Sequence, residues 1–255
     1  MLNTILHGQP GPRPPLLIVH GLYGSARNWG VIAKRLSAER QVIAVDLRNH
    51  GDSGWTDTHS YPEMAEDLAK VIDAHGGRAD VVGHSMGGKT SMVLALAHPE
   101  RVDRLVIADI APVAYDHTQI QFIEAMRRVD LAKVQKRSDA DAQLALSIDD
   151  PSLRSFFTQS LDLKERRWTL NLDTLAKEMP RILSFPEVSG QFDGPTLFLT
   201  GNESTYVTRE HRDTIRALFP TARFAGIPGA GHWLHAEKPR EFEAAVRIFL
   251  DQNRD

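Results

Sequence analysis

The 255-residue chain contains no cysteine. A thiol nucleophile, disulfides and thiolate metal sites are thereby excluded, and a reducing, cytoplasmic setting is expected. Nor is there an excess of basic charge. Lys and Arg number 30 against 33 Asp and Glu, for a net charge of −3, which lacks the positive footprint of a nucleic-acid binder. No apolar run is long enough to suggest a membrane span. The opening residues, Met1 to Gly8, lack the basic start and long apolar core of a secretory signal. Internal repeats and low-complexity tracts are also missing. What remains is an ordinary globular composition, 42% hydrophobic and 25% charged. Its length suits one large α/β domain or a core with an insertion.

Short, continuously apolar runs punctuate the chain: Leu16–Val19, Val42–Val45, Val81-Val82, 105–108 and 197–199. Such runs indicate strands buried on both faces of a parallel sheet. A short edge strand is expected at 3–6. Helical patterns alternate with the strands. Ser60-Tyr-Pro62-Glu63 makes a capping box, and Met64, Leu68, Val71 and Ile72 follow at helical spacing. A further helix is expected from just after Ser85 to about Ala97, one at 208–218, and a last one from Pro239. This is the rhythm of a doubly wound, mostly parallel sheet, which places ligands at the C-terminal ends of its strands. Between 113 and 187 the rhythm changes. No strand-like run occurs there, and Ile120, Ile123 and Met126, then Phe156, Phe157 and Leu161, then Leu175, Met179 and Ile182 recur at helical spacing. The expectation is a core of 1–112 and 188–255 carrying a helical cap, 113–187, inserted after the strand that ends at Asp109.

The stretch around Ser85 carries the chemistry. Gly83-His-Ser85-Met-Gly87 matches Gly-x-Ser-x-Gly, the nucleophile elbow, in which a sharp strand-to-helix turn projects the serine hydroxyl. The same residues compete as a phosphate-binding loop, since Gly83 to Thr90 also reads Gly-x-x-x-x-Gly-Lys-Thr. The remainder of the chain discriminates. Ser85, Asp109 and His232 fall at three strand ends in the order serine, aspartate, histidine. The Gly229-Ala-Gly231 run allows an unusual loop that can drop His232 into a cleft. A serine hydroxyl needs a base within hydrogen-bond reach, histidine can take and return the proton, and a carboxylate orients the imidazole. Two N–H groups, from Leu22 after His20-Gly21 and from Met86 after the nucleophile, are the candidate oxyanion hole. A phosphate cradle would leave the His20-Gly21 loop, the cap and the His232 loop without a role.

Nearly the whole chain resembles the α/β-hydrolase superfamily. The strings Gly83 to Lys89, Asp46 to Gly51, Asp109 to Val113 and Gly229 to Pro239 are similar to those of the YbfF-type esterases. The resemblance implies the α/β-hydrolase fold with a helical cap. It implies a serine carboxylesterase or thioesterase acting on a small-molecule acyl ester or acyl-CoA, with no cofactor. In the superfamily the acid usually follows the strand near 197–201. Here that position reads Gly201-Asn-Glu203-Ser204, so a serine stands where the carboxylate would be. Asp109, at the end of the preceding strand, is therefore assigned as the acid, with Glu203 as runner-up. The resemblance implies that Ser204 is a hydrogen-bonding accessory.

His84 is expected to pack beside the elbow, His235 to start a helix, and His50 to be a solvated loop residue. No metal is expected, because no histidine has a third ligand at suitable spacing. Asp46, Arg48, Ser53 and Gly54 are read as holding their own loop. Three alternatives stay open: a carbon–carbon bond hydrolase or lyase on the same scaffold, a non-catalytic ligand receptor, and a phosphate-loop nucleoside triphosphatase. Acyl chain length, leaving group and oligomeric state are left undetermined.

Overall fold

The computed structural model describes residues 1–252. Seven strands form the main sheet: β1 (Thr4–His7), β2 (Leu16–Val19), β3 (Val42–Val45), β4 (Ala79–His84), β5 (Val102–Ala108), β8 (Thr196–Gly201) and β9 (Arg223–Ile227). The spatial order is β1-β3-β2-β4-β5-β8-β9, with β1 antiparallel to β3 and every other pairing parallel. The short strand expected at 3–6 is thus an edge strand one residue further on.

The uninterrupted apolar runs are explained by burial on both faces. Leu17 and Val19 join a cluster with α2 (Tyr61–Asp73) and α3 (Met86–Ala97). Their neighbours Leu16 and Ile18 join a second cluster on the opposite face. There they meet Ile32 and Leu36 of α1 (Gly30–Leu36) and Phe242, Val246 and Phe249 of α10 (Pro239–Asp251). Each such side chain, removed from water, contributes about 1.5–3 kcal/mol. Met86 through Leu96 are all buried, so α3 has no solvent-exposed face along that stretch. Its polar residues Lys89, Thr90 and Ser91 are buried with it and hydrogen-bond to backbone carbonyls. α2 begins at the expected capping box, where the Glu63 carboxylate accepts the Ser60 N–H at 3.2 Å.

Between β5 and β8 lie α4 (Ile120–Arg127), α5 (Arg137–Leu144), α6 (Pro151–Thr158) and α7 (Leu172–Leu183). The same stretch holds a two-stranded ribbon, β6 (Leu161–Asp162) with β7 (Arg167–Trp168), which helical periodicity does not indicate. With two residues per strand, no alternation can accumulate. The chain closes through α8 (Arg212–Leu218), preceded by a 3-10 turn at Arg209–His211, and the short α9 (Leu234–Glu237). Among the described residues no helix is long and apolar enough to cross a membrane.

From β2 the chain passes to β3 on one side and then to β4 on the other. The loops after β2 and β4 therefore diverge and leave a crevice at the C-terminal strand ends. That crevice is where Gly21 and Ser85 meet.

Candidate active site

The elbow is built as its spacing requires. Ser85 has φ 53° and ψ −120°, a backbone state that serine rarely adopts. The turn is so tight that a Cβ on Gly83 would lie 2.4 Å from the carbonyl oxygen of Gly87. Ser85 N–H donates to Ala108 O at 3.1 Å, and Ser85 O accepts the Lys89 N–H at 3.0 Å to begin α3.

Ser85, Asp109 and His232 come together. Ser85 Oγ lies 3.1 Å from His232 Nε2, and His232 Nδ1 lies 2.8 Å from Asp109 Oδ2. The carboxylate can only accept, so Nδ1 carries the proton and Nε2 is left to accept from the serine. Asp109 is completely buried and also has a positive φ, 52°. Its Oδ1 accepts the Gly201 N–H at 3.2 Å, and the Ser204 hydroxyl donates to its Oδ2. Ser204 therefore touches the Asp109 carboxylate directly. Glu203 is exposed, and its N–H is used by Ala230 O.

The His232 loop is tied on both sides. Gly231 N–H donates to Glu237 Oε2 at 2.7 Å, and His84 Nε2 donates to the His232 carbonyl at 2.8 Å. His84 thus packs beside the elbow as expected. His235 lies within α9 and stacks on Trp29, 4.2 Å between centroids and 6° from parallel. Burial holds the His84 imidazole well below the ordinary histidine range and pushes that of His235 down to about 3. A further aromatic lies against His232: the ring of Tyr206 stacks on it, 3.8 Å and 17°. Loop aromatics carry no periodic signal, so only its position two residues past Ser204 could have drawn notice.

The loop after β2 lies against Ser85, since a Cβ on Gly21 would be 3.2 Å from Ser85 Cβ. Gly24 N–H closes a turn onto Gly21 O at 3.0 Å, and Tyr23 N–H donates to His50 Nε2 at 3.2 Å. Leu22 and Met86 both line the cleft beside Ser85. As the first residue of α3, Met86 has no intrahelical acceptor for its N–H.

His50 corrects the expectation of a solvated histidine: it is completely buried. Its ring lies 5.1 Å from that of His20 and 5.4 Å from that of His59. The cause is tertiary, because Leu170 bridges to His50 and covers the loop that carries it. The Asp46 loop is held partly from within, where the Ser53 hydroxyl also donates to Asp46 O at 2.6 Å, and partly by neighbouring elements. The Asp46 carboxylate accepts from Ala26 N–H at 2.7 Å and Asp52 N–H at 2.9 Å, and Arg48 pairs with Asp67 at 2.7 Å.

Lys89 separates the two readings of the glycine-rich stretch. Its buried amine donates to the carbonyls of Leu183 and Ser184, at 3.0 and 2.6 Å, and sits 4.8 Å from the centre of the Tyr115 ring. It caps the C-terminal end of α7, where carbonyl dipoles favour a cation. Its donors are thereby committed to backbone, not to a phosphate cradle. Burial pushes this amine down to about 7 from 10.5. Between those values the unfolded chain binds the proton more strongly, so wild-type stability rises with pH across that window. Below about pH 7 the burial penalty is complete, at most about 5 kcal/mol. Lys89→Met does not titrate. The stability of wild type minus that of Lys89→Met is therefore expected to increase from pH 7 to 10 in urea unfolding. A difference that does not change with pH would mean that the amine titrates normally.

The cleft around Ser85 and His232 is lined from the stretch between β5 and β8 by Phe122, Leu153, Phe156, Phe157, Ile182 and Leu183. Tyr23, Met86 and Ile110 complete an apolar wall. Among the described residues no group of three or more His, Cys, Asp or Glu could hold a metal ion.

Comparison with known proteins agrees with this architecture. The chain is 43% identical over 249 residues to the sn-1-specific diacylglycerol lipase ABHD11 of Mus musculus, covering 93% of this chain and 81% of that one. It is 38% identical over 241 residues to the esterase YbfF of Escherichia coli, covering 93% of each. A solved structure described as a marine microorganism esterase superposes with a TM-score of 0.92 at 39% identity, covering 97% of this chain and 98% of that one. Residues 14–239 match the model of the alpha/beta hydrolase fold family, and the chain belongs to that family.

Proposed function

We propose that the chain hydrolyses carboxylic esters of small molecules through an acyl-enzyme on Ser85, with His232 as general base and acid and Asp109 orienting it. At the coarser level it is a carboxylesterase-type hydrolase, in keeping with relatives named esterase and lipase. The mechanism is supported above all by the continuous hydrogen-bond chain Ser85–His232–Asp109 at the wall of an apolar cleft.

In acylation, Ser85 Oγ attacks the ester carbonyl as its proton passes to His232 Nε2. The imidazolium is stabilised by Asp109. Negative charge on the tetrahedral oxygen is met by the N–H groups of Leu22 and Met86, each worth roughly 3–4 kcal/mol. The tetrahedral intermediate collapses, and His232 protonates the departing alcohol. Water, deprotonated by the same imidazole, then releases the acid and restores Ser85. Ser204 supports the acid by donating to the oxygen that faces His232. The stretch 113–187 acts as a cap whose phenylalanines and α7 residues hold the acyl group. Acyl thioesters suit the same chemistry, because only the leaving group changes.

The test is intact-mass analysis after treatment with a fluorophosphonate. Wild type is expected to gain one adduct and Ser85→Ala none. A panel of esters and acyl-CoA thioesters of increasing chain length then defines the substrate. Folded wild type that gains no adduct would show that Ser85 is not activated.

A further inference from the structure

We propose that Tyr206 is a positioning residue for the base: its ring forms the wall on which the His232 imidazole rests and favours the imidazolium formed when Ser85 loses its proton. This rests on the assignment of His232 made above. The rings are 3.8 Å apart between centroids and 17° from parallel. A parallel approach sets the imidazole over the electron-rich face of the phenol, where a cation is attracted, rather than against its positive edge.

Tyr206 is held on several sides. Its N–H donates to Ser204 Oγ at 3.2 Å, and the Ser204 hydroxyl donates in turn to Asp109. Its carbonyl accepts from the Tyr115 hydroxyl at 2.7 Å, and that hydroxyl accepts the Ala111 N–H at 2.9 Å. Its own hydroxyl is 2.7 Å from His117 Nε2, in the segment leading to α4. One residue therefore reaches the acid's supporting serine through its backbone and the base through its ring. The backbone bonds fix where the Tyr206 side chain starts, and the hydroxyl contact with His117 holds the far end of its ring.

The other groups around the base meet it differently: Trp233 contacts the ring edge to face, at 5.4 Å and 73°. Asp109 provides the counter-charge on one edge and Ser85 the proton on the other. His84 faces the ring at 4.8 Å from the end of β4, and His235 lies behind it in α9. Both are held neutral by burial. Tyr115 and His117 contact Tyr206, and Glu237 is engaged by the N–H of Gly231.

The experiment is the pH profile of kcat/KM for an activated ester, whose acid limb reports the base in the free enzyme. It is measured for wild type, Tyr206→Phe and Tyr206→Leu. A further set replaces Tyr206 by mono-, tri- and pentafluorophenylalanine, which keep the ring but progressively reverse the charge of its face. Tyr206→Phe is expected to keep the wild-type limb, with kcat lowered by no more than about threefold through loss of the His117 contact. Each increment of fluorine is expected to move the limb to lower pH. Tyr206→Leu is expected to move it by about half a pH unit. Its kcat should fall about tenfold with little change in KM, as for a misplaced base. The fluorinated set preserves ring volume and remains decisive should the leucine variant fail to fold. A wild-type limb that stays in place across the fluorinated set would overturn the role of Tyr206 and leave His232 as the base. A wild-type profile without an acid limb would remove both.

Discussion

Asp109→Asn is expected to lower kcat for ester hydrolysis by about 10⁴-fold while the protein stays folded. Asparagine is nearly isosteric and tolerates the positive φ of 52° at this position. Its chemistry does not fit. Three donors converge on the carboxylate: Gly201 N–H, the Ser204 hydroxyl and His232 Nδ1–H. A carboxamide offers one acceptor oxygen in place of two. If its NH₂ faces His232, Nδ1 must accept and the proton moves to Nε2. The imidazole can then no longer take a proton from Ser85. Steady-state kinetics on a p-nitrophenyl ester, with circular dichroism to verify folding, measure the effect. Activity within about tenfold of wild type would mean that another carboxylate orients the base. Glu203→Gln is the matching control. Its side chain is exposed, and surface substitutions of this kind change little, so activity within about twofold is expected.

The second large effect is on stability. Gly87 is the second residue of α3, and glycine to alanine within a helix ordinarily stabilises by up to about 1 kcal/mol. Here the sign reverses. A Cβ at Gly87 would lie 2.3 Å from His20 O and 2.4 Å from Val19 O. Both are backbone atoms at the end of a central strand, which cannot move aside cheaply. Gly87→Ala is expected to cost about 3 kcal/mol or more, lowering Tm by roughly 6–12 °C. It should also reduce esterase activity, because the shift needed separates the β2 loop from Ser85. Gly30→Ala is the internal comparison. Gly30 opens α1 with nothing within 4 Å of a built Cβ, so a neutral or slightly stabilising change is expected. Similar Tm values for the two variants would sink the steric account.

The main sheet and the elbow were legible because they depend on local signals that agree. Leu16–Val19 and Val42–Val45 are apolar at every position, and they are buried at every position. Ser85 sits between two glycines, Gly83 and Gly87, at positions where a Cβ would clash with backbone in the tight strand–turn–helix packing. Its candidate partners Asp109 and His232 were inferred from strand ends and chain order, and the fold brings the three side chains within hydrogen-bond distance. Other residues could not be read in that way. His50 lies in a polar, turn-rich stretch, yet it is buried because Leu170, 120 residues further along the chain, covers it. Lys89 fits the phosphate-loop pattern letter by letter, and only the position of the α7 C-terminus shows where its amine is committed. The β6–β7 ribbon is too short to have a period.

By itself, the sequence determined the alternation of strands and helices, the nucleophile's turn and the residue types able to do acyl-transfer chemistry. Each of these follows from contacts within a few residues: periodic burial, capping and glycine at a crowded turn. The tertiary structure decided what those residues touch. It brought Ser204 and His232 to the same carboxylate oxygen of Asp109, laid Tyr206 against His232 and gathered Phe122 and Phe157 into the cleft that Ser85 lines. These pairings join loops from separate strand ends. They arise from sheet order and packing, which no local pattern encodes.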